Sequence, residues 1–223
     1  MMLGNPAVFI DHTLLKAGTT AEQVRRLCEE AVEYGFASVC LPPVQVPLAA
    51  ELLYGSEVAV GTVVGFPLGY VPTAVKVFEA SEAVAKGAQE IDMVIQLWAA
   101  LEGHWDRVES EIRQVVRAAE TARVKVILEC CYLNDEQKQA LTACVVNAGA
   151  DYVKTSTGFG PGGATLDDVV LLVKAAAGRI GVKAAGGIRD LESCRTFLQA
   201  GAGRIGTSAG TWIVEQWRRE QGL

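Results

Sequence analysis

The sequence predicts a single-domain α/β chain, a (β/α)8 barrel of the TIM type, and three observations predict it. Eight short apolar or β-branched runs recur along the 223 residues. Longer amphipathic stretches separate them, several ending in a glycine just before the next run. Charged residues interrupt three of the later runs, as expected where strand ends converge on one polar mouth.

The runs are residues 8–11, 37–41, 58–64, 91–95, 124–128, 152–155, 181–185 and 204–207. They are short and nearly continuously apolar, the pattern of parallel strands covered on both faces. Helical spacing fills the intervals at 20–34, 73–86, 105–122, 135–148, 166–177 and 191–200. In the first interval Ala21, Val24, Leu27, Cys28 and Ala31 share a face; in the second, Val77, Ala80 and Val84 do. Gly35, Gly87, Gly149 and Gly201 each precede a strand, where a left-handed residue closes a helix. Strand count alone leaves a doubly wound open sheet as the alternative.

The length suits one barrel domain over residues 1–223, and half the residues are hydrophobic, enough for a large core. No apolar run approaches the ~18 residues that span a bilayer. The first ten residues hold no Lys or Arg and do not resemble a secretion signal, so a cytoplasmic protein without a membrane partner is expected. Net charge is −6 and no basic cluster occurs, which argues against nucleic acid. Six cysteines form no CxxC pair, and only His12 and His104 represent histidine, so no metal site is expected.

Three charges break the strand pattern: Asp92 in the fourth run, Lys154 in the sixth and Lys183 in the seventh. A charge buried without a partner costs several kcal/mol, so the three are expected to share one site at the barrel mouth. Two neighbouring ammonium groups repel, and burial adds desolvation; both effects lower a lysine pKa. A free lysine is only ~0.04% neutral at pH 7, and a ~3-unit reduction makes it about half neutral. Such an amine attacks carbonyls to form an imine, with Asp92 relaying protons. Structural ion pairing is the plainer reading of the same residues. Lys125 lies early in its strand and is expected to reach solvent at the opposite end.

Glycine-rich segments follow the late strands: 156–163, 186–189 and 206–210. Glycine lets backbone N–H groups approach an anion, and loops after strands 7 and 8 recurrently hold phosphate in this fold. Thr155, Gly158, Gly186, Gly187, Gly206 and Ser208 are therefore the candidate substrate and phosphate contacts, with a helix N-terminus expected at Ser208. Tight turns alone would also explain the glycines. Trp212 and Trp217 are core or interface residues that can anchor an assembly of two or more copies.

These motifs carry a resemblance. The segments at 10–16, 34–40, 63–69, 90–95, 153–160 (VKTSTGFG), 182–189 (VKAAGGIR) and 204–210 (RIGTSAG) resemble deoxyribose-phosphate aldolase, a class I aldolase family, over nearly the whole chain. The resemblance implies reversible cleavage of 2-deoxy-D-ribose 5-phosphate to acetaldehyde and D-glyceraldehyde 3-phosphate. It implies Lys154 as the Schiff-base lysine, and Lys183 and Asp92 as proton donors or acceptors. It implies no metal or organic cofactor, since the protonated imine is the electron sink. Gln96, Leu97, Trp98, Cys130 and Pro42 depart from the family pattern, and no tyrosine follows Tyr152 where some members carry one near the C-terminus. These departures bear on substrate range and turnover more than on reaction type. A sugar-phosphate isomerase using Asp92 as base, or a non-catalytic phosphometabolite sensor, is the alternative on the same scaffold.

Overall fold

The computed structural model describes residues 4–223; residues 1–3, where the segment read for a secretion signal begins, lie outside the described residues. The eight strands are β1 (Ile10–Thr13), β2 (Ser38–Leu41), β3 (Ala59–Val64), β4 (Glu90–Val94), β5 (Arg123–Ile127), β6 (Tyr152–Lys154), β7 (Gly181–Ala185) and β8 (Arg204–Thr207). All pair in parallel and in sequence order, and β8 returns to β1 through Ile10↔Ile205, Asp11↔Gly206 and His12↔Thr207. That pairing closes the barrel and excludes the open sheet.

The helices are α1 (Ala21–Tyr34), α2 (Val46–Leu52), α3 (Thr73–Ala85), α4 (Leu97–Leu101), α5 (Trp105–Ala118), α6 (Asp135–Ala148), α7 (Leu166–Ala176), α8 (Leu191–Gln199) and α9 (Gly210–Gln221). Local chemistry sets their ends. Thr20 and Gln23 form a capping box on α1, and Asn134 and Gln137 form one on α6, each satisfying two orphan donors. Gly35, Gly87, Gly149 and Gly201 all take positive φ at the ends of α1, α3, α6 and α8.

The elements differ from the sequence reading in places. The first strand starts at Ile10 because Pro6 opens a 3-10 turn capped by the Asn5 side chain, which accepts from the Ala7 N–H at 3.0 Å. Helix α5 stops at Ala118, and Glu120 turns the chain with φ 51°. Helices α2 and α4, of seven and five residues, were not expected: they are too short to display a helical period.

Strand side chains alternate between two environments. Residues such as Ile91, Met93, Val124, Val126, Val153, Val182 and Ile205 join the apolar core that also holds Val24, Leu27, Val108, Ile112, Leu141 and Val214 from the helices. The other alternation contains charge. Asp11, Glu90, Asp92, Lys125, Lys154, Lys183 and Arg204 are all between 0 and 7% exposed. Lys125 does not reach solvent: the pleat turns it inward beside Asp92, its register partner, and it is 1% exposed.

Candidate active site

Strands β6 and β7 bring Lys154 and Lys183 into register as Cα partners. Asp92 comes from β4 across the barrel. Its Oδ2 accepts from Lys154 Nζ at 2.6 Å and from Lys183 Nζ at 2.7 Å. The three expected residues therefore form one hydrogen-bonded unit.

A second layer continues below it. Lys183 also reaches Asp11 Oδ2 at 2.5 Å. Lys125 Nζ lies 2.8 Å from Asp11, 2.5 Å from Glu90 and 3.2 Å from Asp92 Oδ1. Arg204 closes the column, donating to Asp11 at 2.5 Å and to Glu90 at 2.8 Å. Asp11, Glu90 and Arg204 were missed as strand charges because each stands at or near the edge of its run, where a charge is unremarkable.

The two lysines respond differently to this surrounding. Burial pushes the Lys154 pKa down, helped by the Lys183 cation, and Asp92 only partly opposes this. Burial acts on Lys183 in the same sense, but Asp11 and Asp92 together outweigh it and raise its pKa. The expectation that both lysines are lowered is thus corrected: Lys183 holds two carboxylates, Lys154 one. Burial opposes ionisation of Asp92, yet Lys125, Lys154 and Lys183 hold its carboxyl well below the usual range.

Lys154 opens into a cavity of about 300 Å³, the lower end of typical small-ligand sites. Gly158, Gly186, Gly187, Gly206 and Ser208 line it. Asp92 and Lys183 do not; they stand behind Lys154. Thr155 is not a lining residue either: its hydroxyl donates to the Ala185 carbonyl and accepts from the Ala185 N–H, both at 3.1 Å, tying β6 to β7. The last helix begins at Gly210, two residues later than the expected N-terminus at Ser208. Lys16 and Arg189 also line the cavity, and neither has an ion-pair partner among the described residues. Sequence reasoning quoted both within motifs but gave them no role; each directly follows a strand-end segment, the signal available.

Two glycines are explained by packing. Gly186 has φ 94°, and a Cβ there would come within 3.0 Å of Gly163 Cα. Gly206 makes room for Lys183: a Cβ would lie 3.1 Å from Lys183 Cε and 2.9 Å from Ala185 Cβ. Across the mouth, buried Glu129 accepts from the Thr157 N–H at 3.1 Å and from the Thr157 hydroxyl. That contact orients Thr157, another cavity-lining residue.

Chemically, the arrangement offers a lysine with a depressed proton affinity at a cavity floor, a carboxylate and a second ammonium behind it, and glycine loops with two cations at the rim. The chain is similar to known proteins. A family model described as DeoC/LacD family aldolase matches residues 6–215. A deoxyribose-phosphate aldolase of Syntrophotalea carbinolica is 56% identical over 214 residues, covering 96% of this chain and 97% of its own. One from Deinococcus radiodurans is 52% identical, covering 93% and 94%. Among solved structures, a deoxyribose phosphate aldolase from Aeropyrum pernix, described as a unique tetramer, superposes with a TM-score of 0.90 at 38% identity, covering 96% of this chain and 91% of its own. With the match running through all eight strands, the chain belongs to the DeoC/LacD family of aldolases.

Proposed function

We propose that this chain is a class I aldolase that reversibly cleaves 2-deoxy-D-ribose 5-phosphate to acetaldehyde and D-glyceraldehyde 3-phosphate, with Lys154 as the imine-forming nucleophile. The observation that carries the assignment is the asymmetry of the two lysines: Lys154 alone both faces the cavity and has its proton affinity lowered. The relatives named deoxyribose-phosphate aldolase support the substrate.

In this reading the neutral Lys154 amine adds to the C1 aldehyde of the open-chain sugar and expels water, giving a protonated imine. Loss of the C3 hydroxyl proton breaks the C2–C3 bond. The triose phosphate leaves as its aldehyde, and the electron pair passes into the imine to give an enamine. Protonation at C2 and hydrolysis release acetaldehyde and regenerate the amine. Asp92 and Lys183, joined at 2.7 Å, are the proton donors and acceptors for these transfers. Gly186, Gly187, Gly206 and Ser208 seat the phosphate through short-range donors, assisted by Lys16 and Arg189.

The same reading takes the whole chain as one barrel domain acting on a small phosphorylated sugar. Among the described residues no helix is long and apolar enough to cross a membrane. A cytoplasmic setting fits the six free thiols, five of them buried. Assembly into two or more copies is supported by the tetramer named for the A. pernix protein and by Trp212, which is 48% exposed on α9.

Borohydride trapping tests the assignment. Reduction in the presence of acetaldehyde or the sugar phosphate is expected to leave a substrate-dependent mass adduct on Lys154 that is lost in Lys154→Leu. An adduct on Lys183 would reverse the lysine roles. No adduct on a folded, substrate-binding protein would favour the non-covalent isomerase or the sensor.

A further inference from the structure

Four cations and three carboxylates share the barrel interior: Lys125, Lys154, Lys183 and Arg204 against Asp11, Glu90 and Asp92. One positive charge is in surplus when every group is ionised. The other neighbours do not cancel it. Buried Cys40 on β2 has its thiol pushed up to about 11 by burial and by Asp92, so it stays neutral. Strand β3 (Ala59–Val64) carries no titratable residue. Arg123 at the start of β5 approaches Glu90 at 3.5 Å but is 57% exposed and solvated. Glu129 and Lys16 stand out at the mouth.

Surplus charge in a closed interior is relieved where a proton leaves most cheaply. Arg204 does not give one up. Lys183 touches two carboxylates, and Lys125 touches three, at 2.5, 2.8 and 3.2 Å. Lys154 touches only Asp92. Lys125 neither lines the cavity nor bonds Lys154; it stands one inward-facing layer deeper, opposite Tyr152, and takes Asp92 from the far side through Oδ1.

We propose that Lys125 is a positioning residue for the aldolase chemistry: it is the surplus cation that engages Asp92 from below and leaves Lys154 an uncharged amine. This rests on Lys154 being the nucleophile. Without Lys125 the interior holds three cations and three carboxylates with Lys154 protonated, and Lys154 becomes the natural partner for the freed charge of Asp92.

The test is the pH profile of borohydride-trappable adduct formation with acetaldehyde, read by mass on Lys154. In Lys125→Met the acid limb moves up by about one pH unit, since one unit is a tenfold change in the neutral fraction. Trapping near neutrality falls about tenfold and recovers at alkaline pH, while Lys125→Arg restores the neutral rate. Glu90→Gln supplies the opposite sign and covers the case in which Lys125→Met does not fold: it enlarges the positive surplus, so the limb moves to lower pH. Equal slowing of Lys125→Met at every pH, or an upward limb in Glu90→Gln, overturns the proposal and leaves Lys125 structural. An unaltered protein that traps nothing on Lys154 sinks the aldolase reading itself, and this inference with it.

Discussion

Lys154 and Lys183 are neighbours across β6 and β7 and reach the same oxygen of Asp92, yet their proton affinities move in opposite directions. Asp11 is the reason. Its contact with Lys183 at 2.5 Å has no counterpart on Lys154. Two identical side chains at matched positions thereby differ in proton affinity, Lys154 lowered and Lys183 raised.

Lys183→Met removes the cation that repels the Lys154 proton. Steady-state cleavage is expected to fall by about 10²–10⁴-fold, the usual loss for a positioned acid or base. The acid limb of kcat/KM moves up, because Lys154 keeps its proton to higher pH. The Lys154 adduct still forms in alkaline solution. A variant with unchanged turnover would remove Lys183 from the proton relay.

Lys154→Met is expected to stabilise the fold while abolishing activity. The folded pKa of Lys154 lies below its unfolded value near ~10.4, so between the two the unfolded chain binds more protons and stability rises with pH. Below the folded value the buried charge costs stability in full. Removing it should gain about 1 kcal/mol, or about 2–4 °C in Tm for a chain of this size. Thermal unfolding measured across pH should show the gap widest in acid, below the folded value, and closing towards pH ~10. A lower Tm for the variant would mean that the Asp92 contact outweighs the cost of the charge.

Ser208→Asp places a carboxylate at the cavity rim, where the phosphate is proposed to bind. KM for the phosphorylated sugar should rise at least about tenfold, ~1.4 kcal/mol, with kcat little changed. Cleavage of unphosphorylated 2-deoxyribose should not fall. Equal effects on both substrates would move the phosphate elsewhere.

Lys76→Met probes the support outside the barrel. Lys76 on α3 is fully buried and donates to the Val94 carbonyl at 2.7 Å and to Glu111 on α5 at 2.9 Å. Glu111 in turn accepts from the Gln96 N–H at 3.1 Å, so the pair clamps the end of the strand that carries Asp92. Leaving Glu111 buried and unpaired should cost about 3–5 kcal/mol. Denaturant unfolding should show part of that loss recovered in Lys76→Met/Glu111→Gln. A double variant no more stable than the single would assign the loss to packing of the lysine stem against Gly65.

The barrel was legible because its signals are local. Alternating runs, Thr20 and Asn134 ahead of their helices, and Gly35 and Gly149 behind them all act within a few residues. Lys154, Lys183 and Asp92 were legible because a charge inside a short apolar strand needs a partner. Lys125 looked the same in Val124-Lys125-Val126, and only its direction and partners distinguish it. Thr155 stood next to Lys154 in sequence, but strand alternation turns its hydroxyl to the Ala185 backbone.

By itself, then, the sequence determined the eight-fold alternation, the capped ends of α1 and α6 and three of the strand charges, because propensity, capping and burial penalties belong to single residues and short windows. Only the tertiary structure decided which charges meet. Asp11, Glu90 and Arg204 stand up to 193 residues apart, and barrel closure brings them onto the column beneath Lys154. Proton affinity depends on distance in space and on local dielectric, and both come into being when β8 pairs with β1.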